Sequence, residues 1–211
     1  MTHRFHAIAV VGAGAVGTFY GAMLARAGHR VTLIGRAAHV QAIERDGLSL
    51  DMAGHVEVVR LSASVDMATA RGADLVLICV KSTDTDAVAT DLAPHLDNGA
   101  LVLSLQNGVE NAQTIAGHVR QTVVPAVVYV ATAMPQPGYV KHYGRGDLVI
   151  GAMDVQAARD PLVTRKLQDL VEFFATAQVP VKVSGDVMAE LWSKLMVNCA
   201  YVAWARPEMA L

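Results

Sequence analysis

Apolar residues in this chain fall into short, nearly continuous runs separated by longer stretches of helical period. The runs predict strands at residues 8–11, 31–34, 48–50, 56–61, 75–80, 101–105, 123–131, 139–143, 148–150 and 181–183. Helical stretches lie between several of them, at 18–27, 38–45, 85–93, 111–118 and 161–177, and a last helix runs from about Val187 to near residue 211. Strands that alternate with helices predict an α/β fold: a Rossmann-type, mostly parallel sheet with helices on both faces. Two places break the alternation. Residues 48–61, centred on Gly54, predict a hairpin. From 123 to 150 the strands succeed one another, with Pro135, Pro137, Gly138, Gly144 and Gly146 as punctuation. The second half of the sheet is therefore expected to be antiparallel. Residues 181–183 close it as an edge strand, and Ser184-Gly185-Asp186 caps the final helix.

The first run ends in Gly12-Ala13-Gly14-Ala15-Val16-Gly17, a G-x-G-x-x-G motif between a strand and a helix, with a second strand following on schedule. In that context Gly12 permits a tight turn, Gly14 lets backbone approach a pyrophosphate, and Gly17 lets the helix pack on the strand. The helix-terminal amides then face the phosphates with the positive end of the dipole. A dinucleotide site follows. Its type is indicated at the end of the second strand, where a carboxylate binds the ribose 2′-hydroxyl of NAD and an arginine accommodates the 2′-phosphate of NADP. The chain has Gly35-Arg36 there, 19 positions beyond Gly17, and no carboxylate before Glu44. The planar donor fork of Arg36 matches a phosphate, so NADP is expected; a solvated strand-end arginine is the alternative.

Composition removes other classes. With 53% apolar and 17% charged residues, the chain suits strands buried on both faces. A net charge of −2 without a basic block leaves no electrostatic footprint for nucleic acid. Residues 7–25 carry no charge and Arg4 precedes them, as in a signal peptide. Gly12, Gly14, Gly17 and Gly21 make the stretch a poor membrane segment, and no cleavage-site pattern follows it. Cys79 and Cys199, both in apolar surroundings, make no disulfide framework. A cytoplasmic protein with no membrane partner is expected. The eight histidines are scattered, with no spacing suited to a metal, and none is expected.

In an open α/β sheet, ligands lie beyond the carboxyl ends of the strands. Lys81 directly follows one apolar run and Gln106-Asn107-Gly108 another, although each also reads as a plain turn or helix entry. The last helix carries Glu190, Lys194 and Asn198 at four-residue spacing, one polar stripe on an otherwise apolar helix. An exposed Glu–Lys pair is one reading; a stripe lining a cleft is the other. In a cleft, a lysine donates a proton to a carbonyl oxygen as a hydride reaches the carbon, and its charge offsets the developing alkoxide. Leu191, Trp192, Leu195, Met196, Cys199, Tyr201, Val202 and Trp204 surround the stripe, so the helix is expected to be buried. A homodimer through this helix is one way to bury it.

Taken together, the Gly12–Gly17 loop, Arg36, Val80-Lys81, Gln106-Asn107-Gly108-Val109-Glu110 and the stretch from Glu190 through Trp192, Lys194 and Asn198 resemble the ketopantoate reductase (2-dehydropantoate 2-reductase) family over residues 7–199. The resemblance implies NADPH-dependent reduction of the ketone of 2-dehydropantoate, a small 2-keto acid, on the route to pantothenate. It implies Lys194 as general acid, Asn107 and Lys81 as positioning groups at the nicotinamide and substrate, and Asn198 in the substrate cleft. The family has a second asparagine four residues after the first, where this chain has Val202, and then a helical domain with a substrate-binding carboxylate and serine. The expected organisation is an NADP-binding domain at 1–184 followed by the first helix, 185–211, of an incomplete helical domain. With half of the cleft missing, little or no turnover is expected. Two alternatives stay open. A β-hydroxyacid dehydrogenase-like oxidoreductase also pairs a nucleotide domain with a Lys-x-x-x-Asn helix, but Gln106-Asn107-Gly108 stands where its glycine-rich loop would be. A non-catalytic NADPH-binding module is the other.

Overall fold

The computed structural model describes the backbone of residues 5–205 and the side chains of residues 5–200. In chain order the strands are β1 (Ala7–Val11), β2 (Arg30–Ile34), β3 (Leu48–Met52), β4 (His55–Val59), β5 (Ser62–Ser64), β6 (Leu75–Ile78), β7 (Leu101–Ser104), β8 (Thr122–Gln136), β9 (Tyr139–Ile150) and β10 (Val181–Val183). The α-helices are α1 (Ala15–Arg26), α2 (Ala37–Asp46), α3 (Thr85–Leu92), α4 (Asn111–His118), α5 (Val155–Ala158), α6 (Pro161–Thr176) and α7 (Val187–Ala205). Across the sheet the order is β4-β3-β9-β8-β7-β6-β1-β2-β5, with β10 beside β9. The stretch from β5 to β8 is parallel throughout, in the strand order of a dinucleotide-binding fold.

The sheet then curls. β8 pairs with β7 only as far as Pro125, and from Ala126 onward it pairs antiparallel with β9. β9 carries β3 and β10 alongside it in parallel, and β3–β4 is an antiparallel hairpin. The expected antiparallel half therefore reduces to two pairs, β8–β9 and β3–β4. The predicted strands at 139–143 and 148–150 are one strand, because the glycines between them lie in bulges instead of a turn. Tyr143 and Gly146 have no ladder partner on β8. β5 was not predicted: Ser62-Ala63-Ser64 has no apolar run to announce it.

The curl explains the uncharged N-terminal stretch. Every residue of α1 from Gly17 to Leu24 is buried. Phe19, Tyr20, Met23 and Leu24 share a core with β1 and β2 on one side and with Leu48, Leu50, Val140 and Leu148 of the curled strands on the other. A helix covered on both sides has no place for charge. Phe173 and Phe174 of α6 join that core, while Ala89, Leu92, Ala112 and Ile115 of α3 and α4 cover the opposite face against Val76 and Val102. Among the described residues no helix is long and apolar enough to cross a membrane.

Helix α7 begins where the sequence places its cap: the Asp186 carboxylate accepts the Ala189 N–H at 3.0 Å. Its first turns rest on β8 and β9 through Val187, Leu191, Val127 and Val149. Gly151 permits this approach, since a Cβ there would lie 2.7 Å from that of Val187. Beyond Leu191 nothing in the described chain covers the helix: Trp192, Met196 and Val197 are each more than half exposed, and Cys199 is exposed as well. One edge of the helix meets the sheet and the rest faces outward. The side chains of Tyr201, Val202 and Trp204 lie outside the described residues.

Candidate active site

The glycine loop joins β1 to α1 at the carboxyl edge of the sheet, beside the point where the strand order reverses between β1 and β6. The Gly12 and Ala13 amides both donate to the Ile34 carbonyl, at 3.0 and 3.1 Å, which fixes the turn against the end of β2. Gly12 has φ +100°, and a Cβ there would lie 2.7 Å from the Val80 nitrogen. At Gly17 a Cβ would lie 2.3 Å from the Gly12 carbonyl oxygen. Gly14 differs: nothing lies within 4 Å of its Cβ position. It stands at the N-cap of α1 and offers no side chain to cap it. The first-turn amides of Ala15, Val16 and Gly17 are therefore presented to whatever approaches that open side.

Arg36 follows β2 and occupies the N-cap position of α2, with its side chain exposed. The two helices that flank this corner are tied by His39. Its Nδ1 accepts the Gly138 N–H at 2.9 Å, so the neutral ring carries its proton on Nε2, 3.2 Å from Thr18 Oγ1 of α1. Burial lowers the proton affinity of His39, in keeping with that neutral form.

The second group of residues gathers beyond β6, β7 and β8. Gln106 is buried and donates to the Val80 carbonyl at 3.1 Å and to Thr85 Oγ1 at 2.7 Å, while its own oxygen accepts from Ser104. Thr85 donates in turn to Asn111 Oδ1, and Asn111 Nδ2 donates to the Asn107 carbonyl at 2.7 Å. Ser82 Oγ donates to that same carbonyl at 2.7 Å. This satisfied network holds the Asn107-Gly108 loop rigidly and leaves the Asn107 side chain free to act. Lys194 Nζ of α7 meets it, donating to Asn107 Oδ1 at 2.8 Å and also to the Val128 carbonyl of β8. Burial first, and the positive charge of Arg145 second, lower the proton affinity of Lys194 below the ordinary lysine range.

This geometry bears on one of the two readings of the polar stripe, the Glu–Lys pair. Among the described residues no ion pair joins Glu190 to Lys194; the lysine reaches across to the sheet instead. Asn198 lies one turn further along α7, half-buried, and among the described residues no hydrogen bond joins its side chain to Lys194. Lys81 is exposed at the entry to the turn before α3. The loop and Arg36 thus form one cluster and Asn107 with Lys194 another, and neither Lys81 nor Asn198 bonds to either.

Tyr129 and Arg145 were absent from the sequence reading. The Arg145 guanidinium lies 4.2 Å from the centroid of the Tyr129 ring and Lys194 Nζ lies 5.7 Å from it. The only local signal was the Gly144-Arg145-Gly146 triplet. No group of three or more His, Cys, Asp or Glu among the described residues is placed to hold a metal ion.

Residues 8–155 match the family model described as ketopantoate reductase PanE/ApbA. The 2-dehydropantoate 2-reductase of Halobacterium salinarum is 34% identical over 194 residues, covering 90% of this chain and 62% of that protein. The crystal structure of a PanE/ApbA family ketopantoate reductase from Ralstonia eutropha JMP134 superposes with a TM-score of 0.83 at 52% identity, over 92% of this chain and 61% of that one. The ternary structure of D-mandelate dehydrogenase with NADH and anilino(oxo)acetate gives a TM-score of 0.81 at 25% identity, over 91% of this chain and 61% of that one. The chain thus spans about three fifths of the length of these relatives. The family match, on a fold in dinucleotide-binding strand order, is sufficient: the chain belongs to the ketopantoate reductase PanE/ApbA family.

Proposed function

We propose that this protein is the nucleotide-binding and proton-donating part of an NADPH-dependent reductase of 2-dehydropantoate or a closely related 2-keto acid. The observation that carries this reading is the ammonium of Lys194, held by Asn107 and the Val128 carbonyl. The loop residues fit the cofactor. Gly12 and Ala13 pin the turn to the end of β2, Gly14 leaves its side open, the first-turn amides of Ala15, Val16 and Gly17 face that opening, and Arg36 stands where a 2′-phosphate would be read. When bound, NADPH supplies the hydride that the ketone carbon receives. Lys194 gives its proton to the ketone oxygen and stabilises the negative charge building there. Asn107 keeps the ammonium aimed, with Lys81 at the nicotinamide end and Asn198 in the substrate cleft.

In this reading residues 1–184 form the nucleotide domain and residues 185–211 open a second one. The exposed Trp192, Met196 and Val197 of α7 form the face through which two copies pair. A non-catalytic nucleotide-binding module would need neither the short reach of Lys194 nor its lowered proton affinity. The D-mandelate dehydrogenase relative carries NADH, and Arg36 favours NADPH here. The test is reduction of 2-dehydropantoate followed by NADPH absorbance, in this chain or, where its own turnover is too low to read, in a version joined to the family's helical domain. Lys194→Ala should lower kcat by about 10²–10⁴, with NADPH affinity and Tm near the parent values. A variant that turns over normally would remove Lys194 from the chemistry.

A further inference from the structure

Arg145 occupies an unusual backbone position. It lies within β9 with φ +57°, between Gly144 at +148° and Gly146 at +141°. Left-handed backbone is disfavoured for a residue with a Cβ and persists only where the surroundings impose it. Here two bulges impose it, with Tyr143 and Gly146 both skipped in the ladder to β8. The Gly146 carbonyl accepts from the buried Tyr20 hydroxyl at 3.3 Å, and the Arg145 carbonyl accepts from His142, whose ring stacks on Phe19 at 4.5 Å. The strained turn is therefore anchored to α1 on its inner side. What it accomplishes is to lay one guanidinium over Tyr129, the ring that Lys194 also approaches.

The guanidinium is only partly used. Asp147 takes its side edge in a bidentate pair, Nε to Oδ1 at 3.0 Å and Nη2 to Oδ2 at 2.8 Å. The end edge, formed by Nη1 and the second Nη2 hydrogen, has no protein partner among the described residues, and the side chain is 61% exposed. Asp147 thus orients the plane of the fork and leaves free the edge suited to a second carboxylate. The two cations already sense each other, since Arg145 contributes to the lowered proton affinity of Lys194.

We propose that Arg145 is a specificity-determining residue that binds the carboxylate of a 2-keto acid through its free end edge, while Lys194 addresses the adjacent ketone oxygen. This deepens the reductase reading and rests on it. It commits the site to anionic substrates: an ester of the same ketone loses the second carboxylate–guanidinium pair and gains nothing in return.

Calorimetry on the protein saturated with NADP⁺, where no reduction can proceed, tests it with 2-ketoisovalerate and its methyl ester as probes. The parent should bind the acid more tightly than the ester. Arg145→Gln should weaken the acid roughly tenfold to a hundredfold and leave the ester unchanged. Arg145→Lys, which keeps the charge without the fork, should retain part of the preference. Unchanged NADP⁺ affinity and Tm in both variants separate the effect from misfolding. Equal affinity of the parent for acid and ester overturns the proposal, as does loss of both probes together in Arg145→Gln. Failure of the parent to bind the acid overturns the reductase reading along with it. Normal reduction by Lys194→Ala, by contrast, sinks the proton-donor role and leaves a positive Arg145 result standing.

Discussion

Gly14→Ala and Gly17→Ala divide the work of the glycine loop into a ligand contact and a packing contact. At Gly17 the new methyl would meet the Gly12 carbonyl oxygen at 2.3 Å, and the Cys79 Cβ and Val10 Cγ1 at 3.0 Å each. The nearest of these is backbone, so either α1 or the loop must move. Overpacking against backbone falls in the upper part of the usual range and costs about 2–3 kcal/mol, against at most about 1 kcal/mol gained by replacing glycine in a helix. The expected net loss is about 1–2 kcal/mol, which for a chain of this size lowers Tm by about 2–8 °C. NADPH binding should fall with it, because Gly12 is displaced. At Gly14 no atom lies within 4 Å of the new methyl and φ is an ordinary −81°. Stability should stay within about 0.5 kcal/mol of the parent. The methyl instead occupies the side from which a pyrophosphate approaches, and NADPH should weaken roughly tenfold to a hundredfold through lost charge-assisted contacts. Thermal melts without nucleotide and calorimetry with NADPH read the two effects separately. A Gly14→Ala protein that binds NADPH like the parent would refute the assigned approach. An unchanged melt for Gly17→Ala would refute the packing argument.

Other consequences follow from the same geometry. Arg36→Ala should weaken NADPH roughly tenfold to a hundredfold while sparing NADH, and equal losses for both nucleotides would take Arg36 out of the site. Because Lys194 must be protonated to act as an acid and holds its proton less firmly than usual, ketone reduction should decline with rising pH at a midpoint below 10.5. A midpoint at or above that value argues against this lysine. His39 has its proton affinity lowered from the ordinary 6.5, so its contribution to stability is full above that pH and lost as pH falls below it, when protonation of Nδ1 breaks the bond to Gly138. Denaturant melts should show a shallower loss between pH 7 and pH 5, roughly the range where histidines titrate, for His39→Gln than for the parent. Light scattering should find paired chains, and Trp192→Glu on the exposed face of α7 should separate them; a parent that is monomeric at micromolar concentration removes that face as an interface.

The parts of this molecule that the sequence discloses are those fixed by contacts between near neighbours. Gly12 and Gly17 touch each other and the adjoining strand ends, so their spacing alone announces the loop, and α1 and β2 follow on schedule. The four-residue spacing of Glu190, Lys194 and Asn198 likewise announces a stripe. It could not reveal which partner Lys194 would choose, because Asn107 lies 87 residues away and Glu190 only one turn. Position decides it: α7 sets the lysine against the middle of β8, where an amide oxygen and a carbonyl are both within reach and burial favours using them. The curl of β8 and β9 was hidden for a different reason. Bulges are marked only by glycines, and Gly144 and Gly146 read equally well as the ends of two short strands. That one ambiguity concealed three features at once. With the strands uncurled, α1 has an open face and its lack of charge suggests a membrane segment; with them curled, the same residues are the middle of a core. The bulges that make the curl also lay Arg145 over Tyr129, the ring that Lys194 approaches, so the feature least visible in the sequence is the one that brings a second cation to that ring.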